Sequence, residues 1–380
     1  MRREETARWR SVLAVAGALL FASSVISPGW AQQAPLSRAL NEQVVFIRHG
    51  LGVELETTIF KPDGDGPFPL VVINHGKAPG DPSFQERARY PLGTREFVRR
   101  GYVVVVPMRQ GFSKSTGGFV KPGCNITSNG QEQAHSVQAV IEYLKRQPFV
   151  DKDRILVVGQ SHGGLTTLAI GSCNIAGVRG LVNFAGGLRA ESCAIWESSL
   201  VQAVAEYAKK TRVPSLWFYG ENDSYFSPDV FNKMYREYTK AGGKARLVNF
   251  GRFGTDSHGM FSSRAGLAIW VPEVEKFLES LELPHKASIT VSDIARPAKS
   301  GFAAIDDVMK VPFLKETGRE GYRAFLTKGL PRAFALSPTG HWGWANEGDD
   351  PTARAIANCQ KHSKEPCRPY AVDDDVVWQP

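Results

Sequence analysis

Short runs of aliphatic and β-branched residues recur along this chain, each separated from the next by a stretch with different spacing. "FPLVVINHG", "YVVVVPM", "RILVVGQ", "VRGLVNFAGG", "PSLWFYGEND" and "ARLVNFG" are the main ones. A strand with one wet face alternates apolar and polar residues, whereas a continuous apolar run belongs to a strand covered on both faces. Between the runs, "REFVRRG" reads as a short helix. "EQAHSVQAVIEYLKRQ" has apolar residues three and four apart, and "AIWVPEVEKFLESLEL" reads as a late helix. Two earlier segments, "QVVFIRH" and "LETTIF", read as antiparallel strands. The alternation predicts an α/β fold, a mostly parallel sheet with helices on both faces. Function in such a sheet gathers at the carboxyl ends of the strands.

One of those ends is unusual. "RILVVGQ" runs straight into "SHGGLTTLAIG", so Ser161 stands between Gly159 and Gly163 where a buried strand gives way to a helix. Glycines at those two places suit a sharp strand–turn–helix in which a strained serine holds its hydroxyl above the sheet. A phosphate-binding loop is the competing reading, but no Gly-Lys-Ser/Thr follows. A serine hydroxyl is a weak nucleophile until a base takes its proton, so a histidine and an acid are required later in the chain. "SLWFYGENDSYFSP" offers Asp223, and "LVNFGRFGTDSHGMF" offers His258, each just past a predicted strand. Serine, acid, histidine is the chain order this arrangement needs. Asp223 would fix the imidazole tautomer and His258 would shuttle the proton. Asp256 is too near His258 in sequence to reach round the ring, and Asp229 beside Pro228 reads as a helix start. A tetrahedral intermediate also needs backbone donors. The expected ones are the amide of His162, directly after the nucleophile, and that of Lys77, which Gly76 would turn towards the site.

Composition narrows the setting. The chain has 380 residues, 42% of them hydrophobic, enough for one large domain or two. "MRREETARWR", the apolar run "SVLAVAGALLFASSVI" and the small residues Gly29 and Ala31 read as a secretory leader, residues 1–31, cut after Ala31. That leader holds four Arg and two Glu, so most of the net charge of +8 belongs to the rest, spread without a basic, aromatic-laced run. A nucleic-acid partner is therefore not expected. No second apolar run is long enough to span a bilayer.

The pieces "NHGK", "PMRQGFSKS", "GQSHGG", "YGENDSYFSP" and "DSHGMF", within about residues 43–285, resemble the α/β-hydrolase superfamily. Within it they are similar to the dienelactone-hydrolase-like and prolyl-oligopeptidase-like serine hydrolases. The resemblance implies an α/β-hydrolase fold with an eight-stranded sheet, no cofactor, and acyl transfer to water. Dienelactone hydrolases carry Cys where Ser161 stands, and many relatives carry Asp where this chain has Met108, while Arg109 and Gly111 remain. The catalytic domain is expected over 32–285 and a small C-terminal α+β domain over 286–380. In the latter, "GYRAFLTKG" and "PTARAIANCQKHS" read as helices, "RAFALSP" and "CRPYAVDDDVVW" as strands.

The chain has five cysteines. No C-x-x-C or His-x-x-x-His spacing suggests a metal site. In an oxidising compartment disulfides are expected, with one thiol left over. Cys124 and Cys193 both follow predicted strands at the same end of the sheet. Cys173 lies ten residues down a helix, ~15 Å away at 1.5 Å per residue. A bridge needs Cα atoms within about 7 Å, so Cys124–Cys193 is expected, with Cys173 buried and free. Cys173–Cys193 stays open. Cys359 and Cys367 would staple the small domain. In the insert 188–212, Trp196, Glu197 and Tyr207 are pocket candidates, with core packing favoured for the aromatic pair. Trp342 and Trp344 could stack on a sugar or peptide, though packing in a small core is favoured.

Three functions are compatible: an exported serine esterase acting on small ester substrates, which is preferred; a serine peptidase or amidase acting on short peptides; and a non-catalytic wall- or sugar-binding protein. No propeller-like repeat precedes the hydrolase segment, and an intact Ser161, Asp223 and His258 disfavours the third reading.

Overall fold

The computed structural model describes residues 36–291, 296–328, 330–346 and 350–380. The expected leader, residues 1–31, lies outside the described residues. In chain order the first elements are β1 (Gln43–His49), β2 (Val53–Phe60), β3 (Phe68–Asn74), α1 (Pro91–Val98) and β4 (Val103–Pro107). Next come α2 (Ile126–Leu144), β5 (Val150–Gln160), α3 (His162–Cys173), β6 (Val178–Phe184) and α4 (Trp196–Ala208). Then follow β7 (Ser215–Tyr219), α5 (Pro228–Lys240), β8 (Ala245–Asn249) and α6 (Leu267–Ser280). These strands form one eight-stranded sheet in the order β1-β2-β4-β3-β5-β6-β7-β8. β1 and β2 are antiparallel, β2 meets β4 antiparallel, and the remaining pairings are parallel.

The apolar runs sit where their composition demands. Val103 to Val106 of β4 and Ile155 to Val158 of β5 are fully buried, because helices cover both faces of the sheet. One core layer joins the sheet to α2, α3, α4 and α5, through residues such as Val137, Leu168, Leu200 and Met234. The other joins it to α1 and α6, through Phe97, Trp270 and Leu278. Helix starts follow local chemistry. Asn125 caps α2 by accepting from the Ser128 amide at 3.0 Å, and Pro228 opens α5.

After α6 the chain crosses the end of α1, where the Ser288 and Ile289 amides both donate to the Arg99 carbonyl. It then forms a separate C-terminal domain: α7 (Glu316–Leu326), β9 (Arg332–Leu336), β10 (Trp342–Asn346), α8 (Pro351–Gln360), β11 (Arg368–Val372) and β12 (Asp375–Val376). Its four strands form an antiparallel sheet in the order β10-β9-β11-β12. Strand β10 is not anticipated by the sequence. "HWGWAN" lacks alternation, and its glycine is there because a Cβ at Gly343 would meet the Cys359 nitrogen at 2.4 Å. Trp342 and Trp344 are half-buried against the core of this domain, the favoured packing role.

Both expected disulfides are present, Cys124–Cys193 with a Cα separation of 5.1 Å and Cys359–Cys367 with 6.1 Å. Cys173 is free, but it is exposed rather than buried. It is the last residue of α3, where the helix runs out of the core into solvent. Among the described residues no helix is long and apolar enough to cross a membrane.

Candidate active site

Strands β5, β7 and β8 carry the three expected residues on the loops at their carboxyl ends. Ser161 sits between β5 and α3 with φ 56° and ψ −125°, a conformation L-residues avoid. The turn is pinned: the Ser161 amide donates to the Phe184 carbonyl at 3.0 Å, and the Ser161 carbonyl accepts from the Gly164 and Gly187 amides. The turn is also too crowded for side chains. A Cβ at Gly159 would lie 2.2 Å from the Gly163 carbonyl oxygen, and one at Gly163 would lie 2.0 Å from that of Asn74.

Strand register brings a second loop alongside. Asn74 pairs with Gly159 across β3 and β5, so the chain leaving β3 passes directly over the turn. A Cβ on Gly76 would be 3.8 Å from Ser161 Oγ. The Gly76 amide donates to the Tyr90 hydroxyl at 3.1 Å, leaving Lys77 as the next amide of that loop. The His162 amide is the first of α3, among those a helix cannot pair internally.

The Asp223 side chain is fully buried and its Oδ1 accepts from the Tyr225 and Phe226 amides at 2.8 and 3.0 Å. His258 Nδ1 lies 3.0 Å from Asp223 Oδ2 and 3.1 Å from Oδ1. A carboxylate only accepts, so Nδ1 carries the proton and Nε2 faces away from the acid. The Tyr225 ring lies 4.5 Å from the imidazole and Phe226 lies 5.8 Å from it. His258 occupies a 3₁₀ turn over Ser257–Ser262. Its carbonyl accepts from Gln160 Nε2 at 2.9 Å, which ties the histidine loop to the residue preceding Ser161. Asp256 accepts the His258 amide at 2.9 Å and the Ser224 hydroxyl, so it shapes the loop and leaves the ring to Asp223. Asp229 is exposed and pairs with Lys233.

Sequence reasoning missed the polar layer behind the loops. Arg109 is fully buried; its Nη1 donates to the His75 carbonyl at 2.6 Å and its Nε to Gln133 Oε1 at 2.8 Å. Burial lowers the Arg109 pKa to about 9. His75 Nε2 accepts from the Arg109 amide, and its Nδ1 donates to the Gly76 carbonyl at 2.6 Å. His162 Nε2 meets Asn129 Oδ1 at 2.9 Å. Burial first, then the Arg109 charge, pushes both histidines well below their ordinary range, so both are neutral. The surviving Arg109 after Met108 was the available signal; Gln133 and Asn129 carried none.

Of the insert candidates, Tyr207 is core, fully buried with its hydroxyl on the Thr127 carbonyl at 2.8 Å. Glu197 is exposed. Trp196 is half-buried, its ring 6.4 Å from that of Phe226. Among the described residues no cluster of three or more His, Cys, Asp or Glu could hold a metal ion.

A family model for X-Pro dipeptidyl-peptidase of the S15 family matches residues 51–192. A chloroplastic protein of Arabidopsis thaliana, named as a probable glutamyl endopeptidase, is 24% identical over 292 residues, covering 68% of this chain and 29% of that protein. The chain therefore spans under a third of that relative's length. Among solved structures, the acylaminoacyl peptidase of Pyrococcus horikoshii superposes with a TM-score of 0.48 at 15% identity, over 66% of this chain and 43% of that one. Est1E of Butyrivibrio proteoclasticus, solved with ferulic acid, gives 0.47 at 16% identity, over 63% of this chain and 99% of that one.

Proposed function

We infer that this chain is an enzyme of the serine-hydrolase class within the α/β-hydrolase superfamily, a reading supported by the S15 family match over residues 51–192. We propose that it cleaves carboxylic esters through an acyl-enzyme, with Ser161 as nucleophile, His258 as general base and acid, and Asp223 as the residue that orients His258. The observation that carries this reading is the buried Asp223–His258 hydrogen bond, on a loop whose His258 carbonyl accepts from Gln160 Nε2, the side chain of the residue before Ser161. In the first half-reaction His258 Nε2 takes the Ser161 proton as Oγ bonds to the acyl carbon. The negative oxygen is held by the amides of His162 and Lys77, with Gly76 allowing the close approach. His258 then returns the proton to the departing alcohol. Water repeats the sequence, releasing the acid and restoring the serine.

Peptide or amide bonds are the second reading, favoured by the S15 match over residues 51–192. The two substrates need the same three residues. We propose export as well, with residues 1–31 as a cleaved leader, a reading supported by the two disulfides.

The deciding experiment is labelling with a fluorophosphonate probe, followed by turnover of p-nitrophenyl esters and aminoacyl-p-nitroanilides. Labelling at Ser161 with ester turnover alone is the expected result. Anilide turnover would promote the peptidase. Absence of labelling would overturn the catalytic assignment.

A further inference from the structure

The C-terminal domain touches the loop that carries His258. Three contacts converge on residues 254–259 from one short segment that leaves α7. The Thr255 hydroxyl donates to the Lys328 carbonyl at 3.3 Å. A Cβ at Gly254 would lie 3.0 Å from Leu330 Cδ1. A Cβ at Gly259, the residue directly after His258, would lie only 1.6 Å from the Leu330 carbonyl oxygen. Leu330 is 4% exposed, so this is a packed seam.

Lys328 and the end of α7 are themselves anchored. Arg332, 3% exposed, donates through Nη1 to the carbonyls of Phe325, Leu326 and Lys328. Its other nitrogens reach the Asp373 carbonyl at 3.3 Å and Asp374 Oδ1 at 2.8 Å, in the turn between β11 and β12. One guanidinium thus locks the end of α7 to the far hairpin and fixes where the Lys328 carbonyl stands, two residues along the chain from Leu330. A five-donor planar fork is suited to such a hub. A second tie runs from Arg354 on α8 to Glu86 at 3.4 Å, next to Gln85, which bonds both the Gly76 carbonyl and the Ala78 amide.

From this we propose that the C-terminal domain is a positioning element of the catalytic site: Leu330, set by Arg332, fixes the backbone of the Gly254–Gly259 loop and hence the placement of His258. The inference deepens the proposed function and rests on His258 being the catalytic base. Loops between layers are the mobile part of such folds. A displacement of about 1 Å in a catalytic group lowers turnover by as much as a hundredfold.

The test compares three variants of the full chain, assayed below their melting temperatures. Leu330→Ala should lower kcat and the rate of fluorophosphonate labelling together, by about tenfold to a hundredfold. KM should stay within about twofold, because substrate contacts are untouched. Leu330→Met should restore most of the rate. Trp378→Leu, in the core of the same domain against Phe313 and Tyr370, should lower Tm and leave kcat within about twofold. Wild-type kcat in Leu330→Ala, or an equal loss in Trp378→Leu, would overturn the inference. Failure of the catalytic reading shows separately, as absence of Ser161 labelling in the unmutated protein.

Discussion

Ser161 is held in a strained backbone conformation. A non-glycine residue at φ 56° and ψ −125° stores on the order of 1–3 kcal/mol. Replacing it with glycine removes that strain and adds roughly 0.5–1 kcal/mol of chain entropy to overcome. Ser161→Gly should therefore be stabilised by about 1 kcal/mol, a rise of ~2 °C in Tm, while labelling and turnover vanish. A lower Tm would mean the turn is not strained. His75 and His162 make a pH prediction. Both are held neutral, well below the ordinary 6.5, so the unfolded chain binds protons that the folded one refuses. Stability is then complete above pH 6.5 and falls as the pH drops below it, each histidine adding up to about 1.4 kcal/mol per pH unit. Urea unfolding at pH 7, 6 and 5 should show this loss. His75→Gln should flatten the slope; an unchanged slope would place the acid sensitivity elsewhere.

At the level of elements, the site depends on how closely β3, β5 and α3 approach. Gly163 lies under the Asn74 carbonyl, with no room for a methyl group. Gly163→Ala should push α3 from the end of β3 and destabilise by about 3 kcal/mol. Denaturant midpoints measure this directly, and a loss under 0.5 kcal/mol, the usual scale of an unconstrained surface change, would show that the contact relaxes freely. The same approach brings Gly76 within reach of Ser161, so the variant should also slow fluorophosphonate labelling.

Across the whole molecule, the disulfides join parts that the sheet alone leaves apart. Cys124–Cys193 closes a loop of 69 residues between the start of α2 and the insert before α4. The chain-entropy estimate for such a loop is about 4 kcal/mol, against about 2.5 kcal/mol for the eight-residue Cys359–Cys367 loop. Cys193→Ser should therefore cost more stability than Cys367→Ser in thermal unfolding. The reverse order would mean that the small C-terminal domain, with less core of its own, sets the melting transition.

Much of this protein was legible along the chain, for physical reasons that can be named. A continuous apolar run reports burial on both faces, so the buried stretches of β3 to β7 could be read from the chain, while the polar start of β5 at residues 150–153 could not. The turn at Ser161 was legible because a strained strand–turn–helix demands glycines at fixed spacing, and the pairing of Asp223 with His258 because chain order and strand ends restrict the choice. The Cys124–Cys193 pairing followed from which end of the sheet each loop must occupy. Strand β10 was not legible, since packing on α8 rather than alternation defines it. Cys173 was misjudged because a helix pattern does not say where the helix leaves the core. Gln160, Tyr225, Arg109 and the Leu330 contact join residues far apart in sequence, and no local spacing encodes such pairs. Sequence alone determined which residue types stand at the ends of the strands and in what order. The tertiary structure decided which buried partners hold it in place, because those contacts exist only once distant segments are packed together.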